Sequence, residues 1–323
     1  MISNKTILIY GGTGSLGYEI TSRYLDTNKI INYSRDEAKH WKMKLKYNSH
    51  KNLNFIIGDI RDKGRVKDSL LKSKPNIVII AAAMKHIDQC ELATHECIQT
   101  NLLGIKNILD SIDELQNDLN LETVCFISTD KACSPVNIYG MAKAMSEVLM
   151  VEKAHYIKSI KFVSVRYGNV LNSRGSIIPI LHQIGKDNRV KEFKLTHINM
   201  TRFVMTLNQS VDLIEHAILK ADSGDTVIPQ LISMNVKDII EIFSEIYNKP
   251  YVISGLRPGE KMLESLINET QSMRMYVDND GYHIIKPHYF GKIINDDPRE
   301  YNSRLNPLSK EELKQYLINL NLI

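Results

Sequence analysis

Thr6-Ile7-Leu8-Ile9-Tyr10-Gly11-Gly12-Thr13-Gly14-Ser15-Leu16-Gly17 joins a short apolar, β-rich run to a glycine turn and then to a stretch with helical spacing. Glycine suits a sharp turn, allows a backbone to approach a pyrophosphate, and permits close packing of helix on sheet. The helix that follows offers its free N–H groups to phosphate charge. A glycine-rich turn without a ligand is the competing reading. The position of this turn, between the first strand and the first helix, favours the dinucleotide reading.

Outward from that turn the first half alternates two periodicities. Short β-rich runs occur at 6–10, 29–33, 54–58, 76–80, 123–128 and 161–166. Between them lie stretches with helical spacing, among them SLGYEITSRYL and NIYGMAKAMSEVLMVEKA. Strand, helix, strand, repeated, predicts right-handed crossovers and an α/β fold with a doubly wound parallel sheet. After about residue 168 the alternation loosens into a loop and short helix around 169–185, helices over 207–220 and 236–247, and a short strand at 225–230. The expected division is a nucleotide-binding domain of residues 1–168 plus about 203–230, and a smaller substrate lobe of about 169–202 plus 231–323. Residues 269–323 are polar and predict no particular element.

With 323 residues, the chain is long enough to bury a core without a disulfide or metal staple. Lys and Arg number 41 against 37 Asp and Glu, giving a net charge of +4 with the basic residues dispersed. That balance suits a small anion and argues against nucleic acid. Four cysteines in a chain of this length do not form a disulfide framework. No leader pattern opens the sequence and no apolar run suits a membrane helix, so a cytoplasmic protein without membrane partners is expected.

The turn residues Gly11, Thr13, Gly14, Ser15, Leu16 and Gly17 are the first cofactor candidates. The end of the second strand reads Tyr33-Ser34-Arg35-Asp36. An acid there binds the ribose 2′-hydroxyl of NAD, whereas an arginine meets the 2′-phosphate of NADP. Both residues are present. Arg35 comes first, behind the small hydrogen-bonding Ser34, and favours NADP; the bland alternative pairs Arg35 with Asp36 at a solvated helix start. Asp59 and Ile60 follow the third strand, where adenine would lie. Ala81, Ala82 and Ala83 follow the fourth and leave room against the sheet edge.

Tyr139 and Lys143 stand four apart in a strongly periodic helix and share one face. A tyrosine beside a lysine can lose its proton and serve as base on a substrate hydroxyl, while the lysine can hold the cofactor ribose. Just upstream, Ser128-Thr129-Asp130-Lys131-Ala132 follows a strand at the edge where doubly wound sheets bind ligands.

Gly-Gly-Thr-Gly-Ser-x-Gly, Tyr-Ser-Arg-Asp-Glu, Ala-Ala-x-Lys-His, Ser-Thr-Asp-Lys-Ala, Tyr-Gly-x-x-Lys and Arg-Tyr-Gly-Asn-Val occur in that order, followed by Ser-Arg-Gly-Ser, Met-Thr-Arg-Phe and Arg-Pro-Gly-Glu-Lys. Together they resemble the extended short-chain dehydrogenase/reductases and, within them, the inverting UDP-N-acetylglucosamine 4,6-dehydratases. The likeness runs from residue 6 to about 265. Retaining sugar-nucleotide dehydratases carry Thr-Asp-Glu where this chain has Thr129-Asp130-Lys131, which makes Lys131 the most informative residue.

The resemblance implies that Tyr139 deprotonates the C4 hydroxyl while hydride passes to NADP⁺. Lys131 then removes the acidified C5 hydrogen, Asp130 helps the C6 hydroxyl leave as water, and the hydride returns to C6 with inversion at C5. Lys143 and Thr129 complete the catalytic group. NADP is expected to be tightly bound and regenerated each cycle. Lys85, between cofactor and sugar, and Thr129, Asn169, Arg174, Arg202, Arg257 and Glu260 are implied as contacts to the UDP-sugar, the arginines as bidentate donors to its diphosphate. Related enzymes are oligomers, so a homo-oligomer is expected.

Small departures from the family pattern are Tyr10, Leu16 and Asn172. A paired Asp130 and Lys131 would stabilise each other's charge, whereas acid and base roles need the neutral forms. His86, Cys90, His95 and Cys97 have a spacing that invites zinc, but ordinary helical histidines and buried cysteines explain it, and no metal is expected. A 4-epimerase or reductase of UDP-N-acetylhexosamines would use the same Tyr–Lys pair but needs no acid and base at C5 and C6. A non-catalytic NADP-sensing scaffold could dispense with Tyr139 or Lys143.

Overall fold

In β1 (Thr6–Tyr10) successive side chains point to opposite faces: Ile7 and Ile9 enter one apolar cluster, Leu8 and Tyr10 another, all fully buried. Burial on both faces is what an unbroken apolar strand requires of a parallel sheet covered by helices. The computed structural model, which describes residues 1–323, shows that arrangement. After β1 come α1 (Ser15–Tyr24), β2 (Lys29–Ser34), α2 (Glu37–Lys46), β3 (Leu53–Ile57), α3 (Lys63–Ser73) and β4 (Ile77–Ile80). Short helices α4 (Ile87–Leu92) and α5 (Thr94–Ile98), a π turn (Gln99–Leu103) and α6 (Gly104–Leu115) lead to β5 (Thr123–Ile127). A 3-10 turn (Asp130–Ala132) and α7 (Ile138–Tyr156) lead to β6 (Lys161–Val165). These strands lie parallel in the order β6-β5-β4-β1-β2-β3. The order reverses between β1 and β4, where such sheets open a ligand crevice at their carboxyl ends.

The second half is β7 (Asn169–Val170), α8 (Ile177–Lys186), β8 (Phe193–Leu195), β9 (Thr201–Met205), α9 (Leu207–Lys220), β10 (Thr226–Ile228), β11 (Ile232–Asn235), α10 (Val236–Tyr247), β12 (Tyr251–Ile253) and β13 (Ser265–Ile267). It continues with α11 (Glu269–Ser272), β14 (Met275–Val277), β15 (His283–Ile285), β16 (Tyr301–Asn302), β17 (Pro307–Leu308) and α12 (Lys310–Asn319). A smaller lobe packs α8, α10 and α12 with the sheet β17-β11-β9-β7 around Phe193, Val204, Ile239, Phe243 and Leu313.

The expected division departs from this topology in two places. Residues 275–285, assigned to the substrate lobe, form an antiparallel hairpin that completes a nine-stranded sheet beside β10, because Ile284 and Ile285 bury there. All of β9 pairs within the smaller lobe's sheet, although the boundary near residue 203 cuts it. No helix is long and apolar enough to cross a membrane.

Candidate active site

β5 is buried along its whole length, and its end is tied to β6: Ser128 N donates to Val165 O at 2.8 Å and Asp130 N to Tyr167 O at 2.9 Å. These bonds hold the 3-10 turn at the carboxyl edge of the sheet. Asp130 is fully buried, and its Oδ1 accepts from Thr129 Oγ1 and from Lys131 Nζ, each at 2.9 Å. The other oxygen, Oδ2, is buried without a partner. Burial disfavours the Lys131 ammonium, but Asp130 and Glu264 outweigh it and hold this lysine well above the ordinary range.

α7 begins against that turn. Asn137 caps it by accepting from Gly140 N at 2.8 Å. A side chain at Gly140 would meet Lys131 O at 2.2 Å, so glycine is what lets the first helical turn close on the Asp130–Lys131 turn. Tyr139 is 8% exposed and Lys143 2%. Burial pushes the Tyr139 phenol up to about 12, with Lys131 acting against the rise. Burial likewise pulls Lys143 down to about 8, opposed by Glu147. Lys143 Nζ donates to Ile127 O at 2.7 Å and lies 4.5 Å over the Phe126 ring.

The glycine turn lies across the sheet edge from this group. Gly11 has φ +90°, and a Cβ there would meet Ala82 N at 2.7 Å and Ala81 C at 2.8 Å, so turn and β4 end touch. α1 has no side-chain cap at Gly14 and no acid in its first turn, which leaves its N–H groups fit for an anion. Thr13 Oγ1 donates to Ser34 Oγ at 2.9 Å, bracing the turn against β2. Leu16 packs on one face's core, and Ile60 is buried in the other.

At the end of β2 the competing residues separate. Asp36 caps α2, accepting from Lys39 N at 3.0 Å and pairing with Lys39 Nζ at 2.7 Å. Arg35 is exposed, with only Asp59 nearby at 3.7 Å. Asp59 itself is held by Arg61 at 2.7 Å; burial would raise its carboxyl, but Arg61 brings it below the ordinary value. Arg35 is thus left exposed at the end of β2, its only ion pair the 3.7 Å one to Asp59.

The residues expected at the substrate, Thr129 apart, lie in four places. Lys85 Nζ donates to Arg174 O at 2.5 Å and Arg174 N donates to Ser15 Oγ at 3.0 Å, so the segment after β7 bridges the β4 end and the glycine turn. Arg257 pairs with Glu260 at 2.6 Å in an exposed turn that Asn137 Nδ2 ties to the start of α7 through Gly259 O. Arg202 is buried on β9, donates to Thr201 O at 2.8 Å, and lies near enough to act on Lys131 and Glu264 rather than with the exposed arginines. Asn169 Oδ1 is buried without a partner at the start of β7.

Glu264 is the residue that sequence reasoning missed. It is 2% exposed, and its Oε1 lies 3.7 Å from Lys131 Nζ. Burial raises its carboxyl, against the pull of Lys131. An acid separated only by Ser265 from the apolar pair Leu266-Ile267 is the signal that could have found it. The zinc-like quartet does not converge: His86 and His95 are exposed, while Cys90 and Cys97 are buried beside Tyr139.

Residues 7–286 match the family described as polysaccharide biosynthesis protein. Over 292 residues the chain is 37% identical to the UDP-N-acetylglucosamine 4,6-dehydratase (inverting) of Campylobacter jejuni, covering 89% of this chain and 84% of that one. It is 34% identical to the UDP-glucose 4-epimerase of Rickettsia rickettsii, covering 100% and 98%. The X-ray structure of Pen from Bacillus thuringiensis superposes with a TM-score of 0.89 at 30% identity, covering 99% of each chain.

Proposed function

This chain belongs to the polysaccharide biosynthesis protein family, has the extended short-chain dehydrogenase/reductase fold and is related to sugar-nucleotide dehydratases and epimerases; on that premise we propose that it is an inverting 4,6-dehydratase of UDP-N-acetylglucosamine. The observation that carries this reading is the Asp130–Lys131 pair at the end of β5, its carboxylate fully buried and its lysine mostly so, beside Tyr139. Epimerisation needs only one tyrosine and one lysine at C4. An acid and a base beyond them suit a reaction that also works at C5 and C6.

The cofactor assigned to the glycine turn is NADP, which would be held by Gly11, Thr13, Gly14, Ser15, Leu16 and Gly17, by Ser34 and Arg35, by Asp59 and Ile60, by Ala81, Ala82 and Ala83, and by Lys85, Tyr139 and Lys143. When bound, NADP supplies a hydride acceptor for oxidation at C4 and a hydride donor for reduction at C6. Tyr139 takes the proton of the C4 hydroxyl. Lys143, poised near neutrality, stands one turn along the same helix face to favour the phenolate. Lys131 takes the C5 proton. Asp130 gives a proton to the C6 oxygen as it leaves as water. Thr129 holds the Asp130 carboxyl by its hydrogen bond, while Lys85, Asn169, Arg174, Arg202, Arg257 and Glu260 serve the UDP-sugar.

The test is proton NMR of the protein with UDP-N-acetylglucosamine and NADP⁺ in D₂O. A new C6 methyl signal, deuterium at C5 and L-arabino ring couplings are expected. A methyl signal with C5 retained would remove Lys131 from its assigned role. A change confined to C4 would favour the epimerase reading, to which the Rickettsia relative lends weight.

A further inference from the structure

Lys131 has a second carboxylate partner, which the chain delivers from a distant segment. Glu264 lies immediately before β13, and that strand packs on the turn after β5. Its Oε1 is 3.7 Å from Lys131 Nζ; its Oε2 is 3.6 Å from Lys261 Nζ and is buried without a hydrogen bond. Leaving a carboxylate oxygen in that condition is costly. Local structure does not demand it: the Glu264 N–H is satisfied by Ser303 Oγ at 3.0 Å, and Ser303 N donates to Glu264 O at 2.8 Å. The backbone register therefore stands without the carboxylate.

We propose that Glu264 is a positioning residue for Lys131: its negative charge, added to that of Asp130, decides when this amine can give up its proton. The proposal rests on the reading of Lys131 as the C5 base. Lys131 faces Asp130 on its own turn, Tyr139 on α7, Arg202 on β9 and Glu264 at β13; Glu264 in turn faces Asp130, Arg202, Lys131 and Lys261. The direct 2.9 Å bond gives the proton a place to go. It passes from the Lys131 ammonium to the Asp130 carboxylate, leaving a neutral amine and a neutral carboxylic acid, with no atom gained or lost. Both neutral forms that dehydration requires arise from this one transfer. A charged Glu264 opposes it by stabilising the ammonium, and a protonated Glu264 permits it. Burial moves Glu264 towards its protonated form, and closure of the site over a sugar would move it further.

The test follows the carbon-13 ε resonance of Lys131 against pH in the cofactor-free protein, assigned by its loss in Lys131→Arg. In Glu264→Gln, which keeps the shape and removes the charge, the titration is expected to move down by one pH unit or more. That is a tenfold or greater rise in the neutral fraction at a given pH. Glu264→Asp, which keeps the charge, is expected to restore most of the wild-type curve. An unchanged curve in a folded Glu264→Gln protein overturns the proposal, and so does equal displacement by Gln and Asp. The premise fails separately: Lys131→Ala that still exchanges the C5 hydrogen at the wild-type rate would remove Lys131 as base and leave the titration result standing.

Discussion

Lys143 and Lys131 belong to one site, and both are largely buried, yet their surroundings drive them to opposite charge preferences. Lys143 has a backbone carbonyl at 2.7 Å and an aromatic ring beneath it but no ion pair, and burial carries it down to about 8. Lys131 is also penalised by burial, though somewhat more exposed, but has Asp130 at 2.9 Å and Glu264 at 3.7 Å, and the two carboxylates hold it well above the ordinary lysine range. Depth alone therefore does not decide whether a lysine is charged; the carboxylates brought to it do. A lysine near neutrality can trade protons with a phenol, whereas one clamped by two acids must first be released.

The largest effect expected from this contrast is at Lys131. Replacing it with Met leaves the buried Asp130 carboxylate without its cation and Glu264 with only its 3.6 Å pair to Lys261, which costs about 3–5 kcal/mol of stability. Because its folded value is raised, the Lys131 contribution is full below the ordinary value of 10.5 and is lost as pH rises through the folded one. Urea unfolding at pH 7.5 measures the cost, and a Lys131→Met protein within about 1 kcal/mol of wild type would contradict the clamped ammonium. The same variant is expected to lose about 10²- to 10⁴-fold in C5 deuterium incorporation, the range spanned by general bases.

At Lys143 the sign reverses. Its folded value of about 8 lies below the ordinary 10.5, so between those limits the unfolded chain binds more protons and stability rises with pH. Lys143→Met removes both the charge and this slope. It is expected to gain on the order of 2 kcal/mol at pH 7, reduced by the lost bond to Ile127 O, and to converge on wild type near pH 10. Turnover should fall by about 10²-fold or more, since Tyr139 loses the cation beside it. Denaturation curves at pH 7, 8.5 and 10 decide the matter. A destabilised Lys143→Met at pH 7 would show that the native protein stabilises the lysine's charge instead of penalising it by burial.

The contrast between the two lysines also marks how far the sequence can be read. Tyr139 and Lys143 are legible because residues four apart on a helix share a face by geometry alone. The helices at 207–220 and 236–247 coincide with the structure because their apolar spacing faces a core. The Asp130–Lys131 pairing is legible because the residues are adjacent. Glu264 is not, since its proximity depends on β13 folding back over the β5 turn, which no local pattern encodes. The hairpin at 275–285 escapes for a related reason: its strands span three residues each, too few for a period to show, and find their place only against the β10 edge. Asp36 is different in kind. An acid just before the helical stretch Glu37–Lys46 is a capping signal, so its separation from Arg35 could be read from the sequence by asking which backbone N–H groups needed it.

The smallest stability effect is expected at the exposed cation. Arg35 lies 3.7 Å from Asp59 with more than half of its side chain exposed, and a solvated pair at that distance contributes about 0.2–1 kcal/mol. Arg35→Ala should therefore unfold almost with wild type while binding NADP about 10- to 100-fold more weakly, with NAD little affected, as titration of each dinucleotide would show. Asp36→Asn supplies the complementary result. Asparagine caps a helix as well as aspartate does, so stability should change by only a few tenths of a kcal/mol and the NADP-to-NAD preference should stay where it is. If Asp36→Asn instead weakens NAD selectively, the acid is reaching the ribose and the assignment of Arg35 as the discriminating residue is wrong. If both dinucleotides bind as before, the cap accounts for Asp36. The specificity of this edge then rests on a cation left in water, where its charge adds little to the fold and is free to meet a phosphate.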